Sequence, residues 1–98
     1  MNEFFSDFGR RLAAAAERRG ARIEAPVISS QLAAELLDLT RVVAHASERR
    51  FAPLSSYLAG VVMARLEASG LSEAEALAVI AEVRAALEAE HPETERPA

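Results

Sequence analysis

From Leu32 to Ala46 the residues Leu32, Leu36, Leu39, Val43 and Ala46 are spaced by four, three, four and three. This is the period of an α-helix with one buried stripe; a strand, whose side chains alternate between faces, cannot bury the same set. The spacing recurs along the chain. Phe5, Phe8, Leu12 and Ala15 form an earlier line, Leu54, Leu58 and Val61 a middle one, and Ala76, Ile80, Val83 and Leu87 a late one. Gly20, Pro53, Gly70 and Pro92 punctuate the lines, as residues that end helices or begin them should. Composition agrees, since 22 of the 98 residues are Ala, a strong helix former, and only five are aromatic.

The expected fold is therefore all-α, a compact three- to four-helix bundle with short loops. One helical domain should cover residues 1–92, followed by a polar tail at 93–98. The first helix is expected over about 3–19, with Gly20 as its stop. The second should start at the Ser29-Ser30 caps and run to about Arg49. The third should follow Pro53, with Ser55 or Ser56 as cap, and end at Gly70. The fourth carries the clearest start signal, because Ser72 and Glu75 have capping-box spacing and Leu71 can supply the hydrophobic staple. Residues 21–28 connect the first two helices, and Ile23, Val27 and Ile28 predict that this connection packs.

Several function classes fall away on composition. The chain has no cysteine, which removes disulfide scaffolds, thiolate nucleophiles and thiolate metal sites. Its N-terminus opens on Met1-Asn2-Glu3-Phe4-Phe5 rather than on a basic region and an apolar core, so no signal peptide is expected. The apolar run from Tyr57 to Ala64 stops at Arg65, far short of the roughly 20 residues a bilayer requires. No membrane span is expected, and a cytoplasmic location follows. The formal net charge of −4 argues against a nucleic-acid partner, whose binding rests on a basic footprint.

The charge is uneven. Residues 1–22 carry five Arg against three acids, and residues 71–98 carry seven Glu against two Arg, so the first and last helices could attract each other within or between chains. All 11 basic residues are Arg, which suits planar, two-pronged contacts with carboxylate or phosphate.

Residues 36–60 read Leu-Leu-Asp-Leu-Thr-Arg-Val-Val-Ala-His-Ala-Ser-Glu-Arg-Arg-Phe-Ala-Pro-Leu-Ser-Ser-Tyr-Leu-Ala-Gly. In its order of Asp38, Arg41, His45 and Arg49, then Ala52-Pro53-Leu54, Ser55-Ser56, Tyr57-Leu58 and Gly60, this stretch resembles a small bacterial helical domain of unknown function. Members of that family stand alone or are attached to molybdenum-cofactor guanylyltransferases, the enzymes that add guanine dinucleotide to molybdopterin. The resemblance implies a molybdenum-enzyme context and no catalytic role. Arg50 and Phe51 stand where the family has small residues or Pro, and residues 23–29 are an addition.

On a helical wheel Asp38, Arg41, His45, Glu48 and Arg49 fall opposite the Leu32–Ala46 stripe and predict a charged ridge. Three readings are open. The ridge is a solvated surface laced by pairs such as Asp38 with Arg41 and His45 with Glu48. Or it is a recognition surface on which His45 and Arg49 hold a carboxylate or phosphate. Or His45 or Arg49 clamps the Arg50 to Ser55 turn through backbone carbonyls.

Other chemistry is thinner. Glu88 and His91 have the spacing of a carboxylate and imidazole in di-iron bundles, yet Pro92 ends the helix beside them and such a site needs glutamates from other helices, so no metal is expected. The Ser55 and Ser56 hydroxyls are explained as caps, and four scattered Gly make no phosphate loop, so no nucleotide or other cofactor is expected. Gly60, Ala64 and Ala68 allow another helix to come close to the third, with internal packing expected, and Arg65 should snorkel out of its apolar line. The expected function is that of a noncatalytic protein-interaction module, with a molybdenum-cofactor enzyme as the partner implied by resemblance. Its candidate surface comprises Asp38, Arg41, His45, Glu48, Arg49, Phe51 and Tyr57. The competing expectation is a small structural subunit or homo-oligomer held by spare apolar surface such as Phe4, Phe51 and Tyr57.

Overall fold

The computed structural model describes residues 3–92. Its elements are α1 (Glu3–Arg18), α2 (Ser30–Ala46), a 3-10 turn (Arg49–Phe51), α3 (Ala52–Ala68) and α4 (Glu73–Glu90). The fold is all-α, with no strand among the described residues. The expected tail at 93–98 lies outside them. By its internal contacts the chain divides into two units, Met1–Ala33 and Ala34–Ala98, the division falling inside α2.

In the first unit, α1 and α2 are bounded by the signals the sequence carries. Gly20 takes φ +90°, its N–H bonds to the Glu17 carbonyl, and the next N–H, of Ala21, reaches the Ala16 carbonyl, a glycine-dependent helix ending. Ser29 starts α2 by accepting the Leu32 N–H on Oγ at 3.0 Å. Between these points the connection lies against α1: a Cβ built on Gly9 would stand 2.2 Å from the Pro26 carbonyl oxygen, and Gly9 is the buried residue of α1. The packing therefore runs through backbone rather than through the apolar side chains expected to do it. Ile28 is half-buried, but Ile23 is 52% and Val27 86% exposed.

In the second unit the core is drawn from three helices: Leu39 and Val42 from α2, Ala59 and Met63 from α3, Ala76 and Ile80 from α4. Helix α3 starts a turn earlier than expected. Pro53 sits in its first turn, where a missing N–H costs nothing, and Ser55 donates its hydroxyl to the Ala52 carbonyl at 2.6 Å instead of capping. Helix α3 ends as α1 does, with Gly70 at φ +108° and the Leu71 N–H on the Leu66 carbonyl. Helix α4 opens on the expected capping box: the Glu75 N–H donates to Ser72 Oγ at 3.2 Å, and the Ser72 N–H donates to the Glu75 carboxylate at 2.9 Å. That bond to the Ser72 backbone, with the hydroxyl contact second, holds the Glu75 carboxyl below its ordinary pKa.

Candidate interaction surface

The charged residues of α2 do not form the expected ridge. Helix α2 ends at Ala46, so Glu48 and Arg49 lie beyond it, and the most deeply buried side chain of α2 is Val42, which is off the Leu32–Ala46 line. That offset turns the buried face toward Glu35, Asp38 and Arg41. Asp38 and Arg41 are half-buried, not solvated.

What Arg41 meets is α4. Its Nη2 donates to Glu88 Oε2 at 3.0 Å, and Glu88 Oε1 accepts from Arg84 Nη1 at 2.9 Å. Arg84 in turn grips Glu35 with two donors, Nε to one carboxylate oxygen and Nη2 to the other, the latter at 3.3 Å. Two Arg and two Glu thus form one chain of pairs across α2 and α4, with side-chain exposures of 14–24%. The Arg41 hydrogen bond is the main reason the Glu88 carboxyl titrates below its usual range; partial burial opposes it. The bond from Arg84 to Glu35 raises the guanidinium pKa still further, and the nearby charge of Asp38 acts the same way. Arg41 thus reaches another helix, a contact that spacing along α2 does not predict. Glu88 accepts from both arginines. Among the described residues no three His, Asp or Glu side chains are placed together so as to hold a metal ion.

The remaining candidates gather at the turn. His45 ends α2 and is exposed, as are Glu48 and Arg49. Glu48 bonds to Arg50 Nε at 2.8 Å rather than pairing with His45, and the Arg50 guanidinium stands 5.5 Å from the centre of the Phe51 ring. Phe51 is half-buried, while Leu54 and Tyr57, one turn apart at the start of α3, are 61% and 71% exposed. Along the same helix Gly60, Ala64 and Ala68 are all exposed, so the internal packing expected for them is absent, and Arg65 projects outward. The turn and the first two turns of α3 thus present basic and aromatic side chains together.

A second open feature lies between the helices of this unit. Leu39, Val43, Leu58, Val62, Val79, Val83 and Leu87 wall an apolar groove of about 270 Å³. Leu58 and Val83 are 63% and 53% exposed at its mouth.

Residues 5–95 match a family described as a domain of unknown function, DUF6457. The chain belongs to the DUF6457 family. Neither the curated proteins nor the solved structures yield a match. Residues 36–60, on which the resemblance to a helical domain of unknown function rested, lie inside the matched region of this DUF6457 chain. Among the described residues, no helix is long and apolar enough to cross a membrane.

Sequence reading did not single out Arg84 or Glu35, and it weighed Glu88 only beside His91. Arg84 and Glu88 are four apart on α4, a legible pair, but Glu35 sits beside the Leu36 stripe position and carries no motif of its own. Its partner on α4 could be found only from the fold.

Proposed function

We propose that this chain is a noncatalytic protein-interaction module and that its partner is a molybdenum-cofactor enzyme of the guanylyltransferase class. The observation that carries the interaction reading is the exposed edge at Arg49, Arg50, Leu54 and Tyr57, flanked by His45. Arg and Tyr are enriched among interface hot spots, Tyr because it offers broad contact area and a polar tip at little entropic cost and Arg because its planar fork holds several acceptors at once. The acidic groups nearest catalytic use, Glu35 and Glu88, are engaged by Arg84 and Arg41, and the Ser55 hydroxyl is spent on a backbone carbonyl. The identity of the partner rests on the resemblance of residues 36–60 alone.

Affinity purification of the tagged chain, followed by mass spectrometry and by capture of a purified molybdenum-cofactor guanylyltransferase, tests both halves. Capture is expected to weaken by about 1–3 kcal/mol on Arg49→Ala and on Tyr57→Ala, with the melting temperature unchanged. Arg49→Lys should restore only part, because an ammonium lacks the planar fork. Loss of melting temperature alongside binding would reassign Arg49 to clamping the turn, and unchanged capture by every variant would remove this edge from the interface. The second reading, self-assembly, is favoured by the apolar groove.

A further inference from the structure

Helix α3 is apolar on two sides. Inside the second unit it packs on α4 and buries Ala59 and Met63. On the side opposite those two, Leu54, Tyr57, Val61, Ala64 and Ala68 follow one another at spacings of three, four, three and four, with Leu58 beside them. Leu54, Tyr57 and Leu58 are 61%, 71% and 63% exposed, and the helix carries no charge except Arg65 and Glu67. A solvated helix face is polar; a helix apolar all round is one that packs on both sides, and alternation of three and four is the spacing of a seam between paired helices.

Two gradients run along this seam. The first is size: Leu54, Tyr57 and Leu58 make its N-terminal half large, and Ala64 and Ala68 make its C-terminal half small. The second is charge. Residues 45–54 carry two Arg and one Glu, a surplus of one positive charge (2 − 1) with His45 neutral, and residues 65–75 carry three Glu and one Arg, a surplus of two negative charges (3 − 1). A helix that fits this seam must be small and acidic where α3 is large and basic, and large and basic where α3 is small and acidic. Those are the properties of α3 itself, run in the opposite direction.

We propose that the chain forms a two-fold dimer in which α3 packs antiparallel on the α3 of a second copy, crossing at Val61. Leu58 of one copy then lies against Ala64 of the other and Leu54 against Ala68, while Arg65 comes beside the Tyr57 ring, whose face attracts a guanidinium. An interface that uses the same patch on both copies closes at two. This rests on self-assembly, the second reading above, and gives it a surface on α3. Leu54 and Tyr57 also belong to the edge assigned to the enzyme partner, so the dimer and that complex exclude each other.

Sedimentation of the full chain alone over a concentration series should show a reversible dimer of twice 10.5 kDa. Ala64→Glu, which sets an unpaired carboxylate against Leu58 of the other copy, should raise the dissociation constant by at least roughly 30-fold while the melting temperature of the dilute chain holds. Leu37→Glu, at a residue of α2 that is 72% exposed, should leave the dimer as it is. The direction of the pair can be read with cysteine, which the chain lacks. Val61→Cys stands on the two-fold axis and should link into a disulfide dimer under mild oxidant. Ala68→Cys should not, because antiparallel packing sets its two copies about 20 Å apart along the helices, and a disulfide spans roughly 7 Å at most between Cα atoms. A chain that stays monomeric at every concentration overturns this pairing and self-assembly together. A dimer indifferent to Ala64→Glu, or one that links as readily through Ala68→Cys as through Val61→Cys, leaves self-assembly standing and overturns the α3 pairing alone.

Discussion

Arg84 holds Glu35 across α4 and α2 with two parallel N–H donors while its third reaches Glu88 one helical turn on. The pair fixes more than an energy. A planar guanidinium bound to both oxygens of a carboxylate is more demanding in geometry than a point charge, so the fork favours one placement of α4 beside α2. Arg41 adds a further bond between the two helices, from its Nη2 to Glu88. The polar contacts between these helices thus act as register marks beside a small core.

Arg84→Ala should destabilise the second unit by about 1–3 kcal/mol, because it leaves Glu35 partly buried with its main partner gone. Arg84→Lys should recover less than half, and the double variant Glu35→Leu with Arg84→Met should come close to native stability, since it leaves no unpaired carboxylate at position 35 and Glu88 keeps its bond from Arg41. Urea unfolding followed by circular dichroism measures all three. A double variant as unstable as Arg84→Ala would mean that the fork, and not the avoidance of an orphan charge, supplies the stability.

Acid should weaken the fold. Glu88 and Glu75 titrate lower in the folded chain than in the unfolded one, so their contribution is complete above the unfolded value, about pH 4.3, and is lost as pH falls through the lower folded values. The melting temperature should hold steady from pH 7 to about 5 and drop below about 4. Glu88→Gln should melt lower at pH 7 and show a shallower drop in acid, which a pH series of thermal melts reads directly.

Ser72→Ala removes the acceptor for the Glu75 N–H at the start of α4 and should cost about 1 kcal/mol, the usual loss for a serine cap. Ser55→Ala should cost less, because that hydroxyl sits inside α3 and bonds a carbonyl that the helix already engages. Equal losses in denaturant titrations would show that Ser55 carries more than a local contact.

Helix α4 was legible almost residue by residue, because a capping box, an apolar line and a proline are local signals that tertiary structure has no reason to override. The end of α2 was not. The charged residues at 48 and 49 continue a helical pattern on a wheel, but the chain leaves the helix at Ala46 and re-enters through the 3-10 turn that delivers Pro53 into the first turn of α3. The proposed ridge failed for the same reason and for a second one: Val42 rather than Val43 carries the burial, and a shift of one residue rotates the wheel by about 100°. Contacts such as Arg41 to Glu88, 47 residues apart, have no sequence signal beyond opposite charge.

Gly9 offers the sharpest test of the first unit. In an exposed helix Gly→Ala should stabilise, by up to about 1 kcal/mol from backbone entropy alone. Here the added methyl would stand 2.2 Å from the Pro26 carbonyl oxygen, a backbone atom that cannot rotate away as a side chain would. Relief requires the 21–29 connection to lift from α1, which gives up the close approach of Pro26 to the Gly9 face of that helix. Overpacking of this kind costs about 1–3 kcal/mol, so the steric loss should exceed the helix gain. The chain carrying Gly9→Ala should therefore be neutral to destabilised in a thermal melt, and the amides of residues 21–29 should exchange with solvent faster than in the native protein while those of α3 and α4 keep their rates. A clear gain in stability with unchanged exchange at 21–29 would show that the connection does not rest on α1 at Gly9.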